Sequence, residues 1–183
     1  MKTVVLRYGL LSGLALAVML ALTVPFEHHT SAKLGMAVGY TIMVLSFLIA
    51  FVGVKHYRDV DCRGSISFGR AFGAGVLMML ISCACYVAMW EVLVATVERN
   101  FASEYAAGMV KRAQHSGLQG AALEARMEEI RKFEVTYANP LYRMGMTLLE
   151  PLPVGIVMAL VTAGVLRRKP DGEVPVVANA EPL

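Results

Sequence analysis

The sequence predicts an all-α polytopic membrane protein with four transmembrane helices and an extramembrane helical hairpin between the third and the fourth. Three observations lead there. Of 183 residues, 57% are hydrophobic, and they fall in long runs rather than at amphipathic spacing. Four runs approach or exceed the ~20 residues that a helix needs to cross roughly 30 Å of hydrocarbon with every backbone polar group satisfied internally. Lys and Arg gather in the short segments between runs, where they resist translocation.

The first span, residues 4–24, is interrupted only by Arg7 near one end. Lys2 and Arg7 before an apolar run also fit a cleaved signal peptide, but Ala21-Leu22-Thr23 is a poor cleavage site and Pro25-Phe26-Glu27 reads as an interfacial stop. A retained helix is therefore expected. The second span, residues 34–54, contains no ionisable group, and the third, residues 71–95, is apolar until Glu91. The fourth, residues 145–166, carries Glu150, Pro151 and Pro153 near its start. From Pro151 onward about 24 Å of helix remains at 1.5 Å per residue. Some turn between Gly145 and Leu149 must supply the missing depth, and the prolines kink it.

Charge sets the orientation. With the N-terminus inside, Lys2, Arg7, Lys55, Arg58, Arg63, Arg70, Arg167, Arg168 and Lys169 all fall on the cytoplasmic side, together with the C-terminus. The short outer loop, residues 25–33, has only Lys33. The net charge of +3 then reflects topology, and nucleic acid is not an expected partner. Lys55, Arg58, Arg63 and Arg70 are candidate contacts for anionic lipid headgroups, at about 1 kcal/mol each near the bilayer surface. Ser65 or Ser67 caps the entry to the third helix.

Small residues recur every four positions: Gly9 and Gly13 with Ala17 and Ala21, Gly35 with Gly39, Gly69 with Gly73, and Gly155 with Ala159 and Ala163. Such faces let helix backbones approach closely, within one bundle or between copies. Of the three cysteines, Cys62 lies in the cytoplasmic loop, while Cys83 and Cys85 point to different helix faces and suit small apolar packing. They imply no disulfide or metal site.

Residues 97–143 form the one sizeable segment outside the spans. Phe101, Tyr105, Met109 and Val110 recur at helical spacing, as do Leu123, Met127, Ile130 and Tyr137, on either side of a Ser116–Gly120 turn. The third helix is expected to run on to about His115, turn, and return as a second helix ending before Asn139-Pro140. The tail, residues 169–183, is rich in Pro and small residues and is expected to be disordered.

GVKHYRDVDCRGSISFGRAFGAG, then ACYVAMWEV, then YANPLYRMGMTLLEPLPVGIVMALVTAGVL resemble, in order and spacing, a bacterial membrane family known as domain of unknown function 4199. The resemblance covers nearly all of residues 3–168. It implies a four-helix protein of the bacterial inner membrane and brings no reaction, ligand, cofactor or catalytic residue.

Chemistry is sparse. The middle of every span lacks Asp, Glu, Lys, Arg and His, which argues against an ion-coupled transporter. Glu91, Glu150, His28 and His29 fall at one depth on the outer rim, where they are candidates for a metal site or acid–base work. Against that, no helical motif fixes a ligand geometry, Glu91 can reach the interface beside Trp90, and Glu150 can sit at a positive helix end before Pro151. Arg143 can pair with either carboxylate as a brace. The preferred expectation is a non-enzymatic interaction or accessory subunit, as a homo-oligomer or with a membrane-protein partner, embedded in a lipid bilayer and without a cofactor. The alternatives are a carrier or binder of a lipid or other apolar ligand, with the kinked fourth helix as its gate, and a rim-located metal-dependent enzyme.

Overall fold

The computed structural model describes residues 1–27 and 32–168. His28, His29 and the tail after Arg168 lie outside them. The described chain is all-α: α1 Lys2–Glu27, α2 Ala32–His56, α3 Phe68–Thr96, α4 Phe101–Gln114, α5 Ala121–Tyr137, α6 Pro140–Leu148 and α7 Pro151–Leu166, with a π-helical turn at Tyr57–Asp61 closing α2. Among the described residues, four stretches are long and apolar enough to cross a membrane: Lys2–Val24, Leu34–Asp61, Phe68–Thr96 and Pro140–Leu166. Only 28–39% of their residues are buried inside the chain. Much of the outward surface is apolar, with Leu14, Leu45, Val157 and Val165 all exposed, as lipid-facing helices require.

The spanning helices pack so that α1 and α7 each lie against both α2 and α3. Close approach follows the small residues. A Cβ at Gly9 would meet Ile81 Cβ at 3.0 Å, and one at Gly13 would meet Cys85 Cβ at 2.9 Å and the Ser82 Cα at 3.0 Å. A Cβ at Gly155 would collide with Met79. Hydroxyls bond across these seams: Ser12 Oγ donates to the Ser46 carbonyl at 2.8 Å, and Ser82 Oγ donates to the Gly9 carbonyl at 3.1 Å. Among the described residues no buried side-chain polar atom is left without a partner, the condition that a hydrocarbon surrounding imposes.

Gly35, Gly39, Gly69 and Gly73 do not share that role within the chain, because a Cβ at any of them would meet nothing within 4 Å. Gly53, a position that sequence spacing does not single out, is one of the tightest: its added Cβ would lie 2.5 Å from Tyr8 Cβ. Cys83 is fully buried and Cys85 partly so, both as free thiols.

Two apolar cores fill the bundle. One lies around Val54, Ala71, Met78 and Ala163, the other around Leu16, Phe47, Met79 and Cys83. A third, smaller core of Ala106, Ala113 and Ile130 joins α4 to α5.

Two boundaries differ from expectation. The third helix does not continue to His115. It stops at Thr96 because the Val97 and Glu98 amides both take the Leu93 carbonyl, each at 2.8 Å, which ends the ladder. The chain then turns and seats Phe101 edge-on against Trp90, ring centroids 4.9 Å apart. The fourth span starts at Pro140 rather than near Gly145. It breaks between Leu148 and Pro151, where the Leu149 amide bonds both Gly145 and Met146 and the prolines offer no donor. Asn139 caps α6 by accepting from the Leu141 amide at 2.9 Å, and Ser67 caps α3 by accepting from the Arg70 amide at 3.4 Å.

Overpacking a filled seam costs about 1–3 kcal/mol. Gly13→Leu is therefore expected to lower the thermal midpoint of the detergent-solubilised protein and expose the Cys83 thiol, whereas Gly73→Leu leaves both unchanged. Equal midpoints for the two variants would contradict this placement of α1 on α3.

Candidate functional site

A cluster of polar and aromatic side chains gathers where α3 ends and α4–α6 begin. Tyr86, Trp90 and Glu91 stand on the last three turns of α3, while Tyr137 ends α5 and Arg143 and Thr147 lie on α6. Arg143 braces this region. Its Nε donates to Glu91 Oε1 at 2.8 Å and its second terminal nitrogen donates to Glu91 Oε2, a two-pronged pair with side chains only 13% and 19% exposed. The same guanidinium sits over the Tyr137 ring, 5.9 Å from its centroid, and donates to the Tyr137 carbonyl at 3.4 Å. Trp90 Nε1 donates to the Tyr137 hydroxyl at 2.8 Å. Burial pushes the Tyr137 phenol above its ordinary pKa, so this hydroxyl stays neutral across the physiological range.

Glu91 and Glu150 take different partners. Glu91 is held by Arg143 rather than reaching the interface beside Trp90. Glu150 accepts a hydrogen bond from the Tyr86 hydroxyl at 2.7 Å. Among the described residues no group of three His, Cys, Asp or Glu side chains is placed to hold a metal ion; His28 and His29 lie outside them.

Beside the brace is a cleft of about 850 Å³. Leu16, Leu20, Ile42 and Met43 of α1 and α2 give it an apolar side. Trp90, Phe101, Tyr105, Phe133 and Tyr137 give it an aromatic wall. Those rings are a continuous cluster, with neighbouring centroids 4.9–5.7 Å apart. Among its described lining residues the charged ones are Glu98, Glu104, Glu150 and Arg112, and the Arg112 guanidinium lies 5.8 Å from the Tyr105 centroid. Gly35 and Gly39 form part of the α2 edge, which accounts for the open space at their Cβ positions.

At the opposite end the four basic residues of the α2–α3 segment separate. Arg58 pairs with Asp59 at 2.6 Å. Lys55 is exposed, and Arg63 occupies a left-handed turn conformation with φ 52°. Arg70 lines a shallow recess with Arg167 and Arg168.

A family model described as "Protein of unknown function (DUF4199)" matches residues 7–168. The chain belongs to the DUF4199 family. No curated protein and no solved structure matches it. Membership agrees with the motifs that suggested it, and the DUF4199 description supplies no activity, so any role has to come from the cleft and its surroundings. Sequence reasoning reached the Arg143 brace but missed the Tyr86–Glu150 bond and the aromatic wall. The recurrences of Phe101 with Tyr105 and of Phe133 with Tyr137, each four residues apart, were the available signal for that wall.

Removing one partner of a largely buried ion pair strands the other charge. Arg143→Met is expected to destabilise the protein by on the order of 3 kcal/mol, and adding Glu91→Leu to recover most of the loss. Additive losses in a double-mutant cycle would show that the two side chains do not act as a pair.

Proposed function

We propose that this DUF4199 protein is a non-catalytic membrane protein that holds an amphipathic small molecule in the cleft beside the Arg143 brace. The carrying observation is the composition of that cleft. Its apolar side on α1 and α2 suits an alkyl or ring system, while the aromatic faces and the carboxylates of Glu104 and Glu150 suit a head with positive charge or several hydrogen-bond donors. Its volume lies within the range of small-molecule sites.

The proposed setting is a bacterial inner membrane, with both termini cytoplasmic and the cleft and the α4–α5 hairpin toward the outer side. Charge supports this. The N-terminal ammonium pairs with Asp61 at 3.1 Å, and Ile66 and Arg168 exchange two backbone hydrogen bonds of 3.0 Å. The basic residues near both ends and in the α2–α3 loop therefore share one end of the bundle, where the positive-inside rule would have them.

A second reading, an interaction or accessory subunit, draws support from Gly69 and Gly73, whose small faces meet nothing within the chain and offer a backbone surface to another helix. A rim enzyme using Glu91 and Glu150 has less support, since Glu91 is committed to Arg143 and does not line the cleft.

The Cβ positions of Gly35 and Gly39 open on the cleft with no described atom within 4 Å, so leucines there would narrow it. The Gly35→Leu/Gly39→Leu protein, extracted in native membrane particles, is expected to keep its thermal midpoint and lose a small molecule that the wild type retains near one per chain. A wild type carrying only bulk lipid would sink the binding reading, and a fixed protein partner in the same sample would favour the second one.

A further inference from the structure

The start of the fourth span at Pro140 changes the standing of Glu150. With the span beginning there rather than near Gly145, Glu150 no longer marks its edge but falls inside a 27-residue stretch long and apolar enough to cross a membrane. An ionisable side chain in such a stretch is costly unless it has a partner. Its partner within the chain is a phenol: the Tyr86 hydroxyl donates to Glu150 Oε2 at 2.7 Å. A neutral donor orients the carboxylate and leaves its charge in place. Arg143, on the preceding helix, is committed to Glu91, and among the described residues no cation forms an ion pair with Glu150.

The place of this charge is set by the core. Tyr86 is 5% exposed and packs with Leu16, Phe47 and Met79, so its hydroxyl has little freedom. Glu150 is exposed and lines the cleft together with Tyr86. Trp90 stands four residues after Tyr86 on α3, one turn along the same helix face, and lines the cleft as well. A carboxylate and an aromatic ring are thereby brought to neighbouring turns of one cleft whose other side, on α1 and α2, is apolar.

On the reading that the cleft holds an amphipathic molecule, we infer that this molecule is an amine on an apolar body, with its ammonium group at Glu150. An ammonium N–H donates to a carboxylate in a charge-assisted hydrogen bond, and the positive charge gains further from aromatic faces. A hydroxyl head has neither gain, and a carboxylate head meets like charge. Tyr86 is a positioning residue, which holds Glu150 without having to touch the ligand. Glu104 and Arg112 both lie on α4, outside the apolar stretches, where solvent weakens their pull on a ligand charge.

The test uses the full-length protein in liposomes of phosphatidylcholine, which carries no net charge. Emission of Trp90, the chain's one tryptophan, reports occupancy, and protein-free liposomes correct for partition into lipid. The probes are octylamine, protonated at neutral pH, and octanol, which has the same apolar body. Octylamine is expected to bind at least about tenfold more tightly than octanol, the ratio that a hydrogen bond to a charged group supports. Glu150→Gln should remove that preference and leave octanol binding unchanged. Tyr86→Phe should weaken octylamine about fivefold and spare octanol; a loss shared equally by both probes would overturn its positioning role. Glu134→Gln takes the same charge from an exposed position on α5 that does not line the cleft and should alter neither probe. Equal binding of octylamine and octanol by the wild type would overturn the amine inference while leaving the cleft a binding site. A preference that survives Glu150→Gln, or is lost equally in Glu134→Gln, would overturn it too. No response of Trp90 to either probe would overturn the inference together with the reading on which it rests.

Discussion

The approach of α1 to α3 at Gly9 and Gly13 is the constraint on which the rest of the bundle rests. In hydrocarbon there is little hydrophobic gain in exchanging lipid for another helix, so association depends on contact density and on hydrogen bonds that lipid cannot offer. Both are concentrated here. The missing side chains bring Ser82 within reach of the Gly9 carbonyl, and on the next turn Ser12 turns its hydroxyl to α2. Beside these two contacts, Met79 on α3 packs with Leu16 and Phe47 and is also covered by the backbone of α7 at Gly155.

The end of the bundle around the cleft is organised on a different principle. The interruption at Val97 lets the chain fold back, and the break at Leu149–Glu150 frees α6 to lean away from the axis of α7. Between these two breaks the Arg143–Glu91 pair and the Trp90–Tyr137 hydrogen bond tie α6 and α5 to the top of α3. The cleft is what remains between this tied layer and the ends of α1 and α2. A rigid set of polar braces thus maintains a space that apolar collapse would otherwise close.

How much of this can be read from the residues depends on the range of the interaction. The presence of four apolar spans, a serine cap at Ser65 or Ser67 and an interruption at Pro151 are local features, and run length, side-chain oxygen position and missing backbone donors point to them, although the start of the fourth span at Pro140 was not read. The pairing of Arg143 with an outer carboxylate was legible because membrane depth aligns the few charges available. The glycines were ambiguous for a reason that no spacing rule resolves. Gly9 with Gly13 and Gly35 with Gly39 have the same four-residue interval, yet one pair faces a helix and the other a void, and the difference lies in where distant segments go. Gly53 shows the converse: without a four-residue glycine partner, its need for smallness comes from Tyr8, 45 positions away. The backbone pair of Ile66 with Arg168 joins segments roughly a hundred residues apart, which sequence spacing cannot reveal.

The seam between α3 and α7 also has a bearing on how the chain is made. Roughly 70 residues separate the end of α3 from the end of α7. At about 5–20 residues per second, synthesis leaves α3 in place for about 4–14 s before its partner is complete. During that interval the surface of Met79 and Gly75 that will receive Gly155 and Ala159 has only lipid or the insertion machinery against it. The α4–α5 pair, with its own small core, emerges within the same interval. The α4–α5 pair is therefore complete before α7, which packs against both α2 and α3.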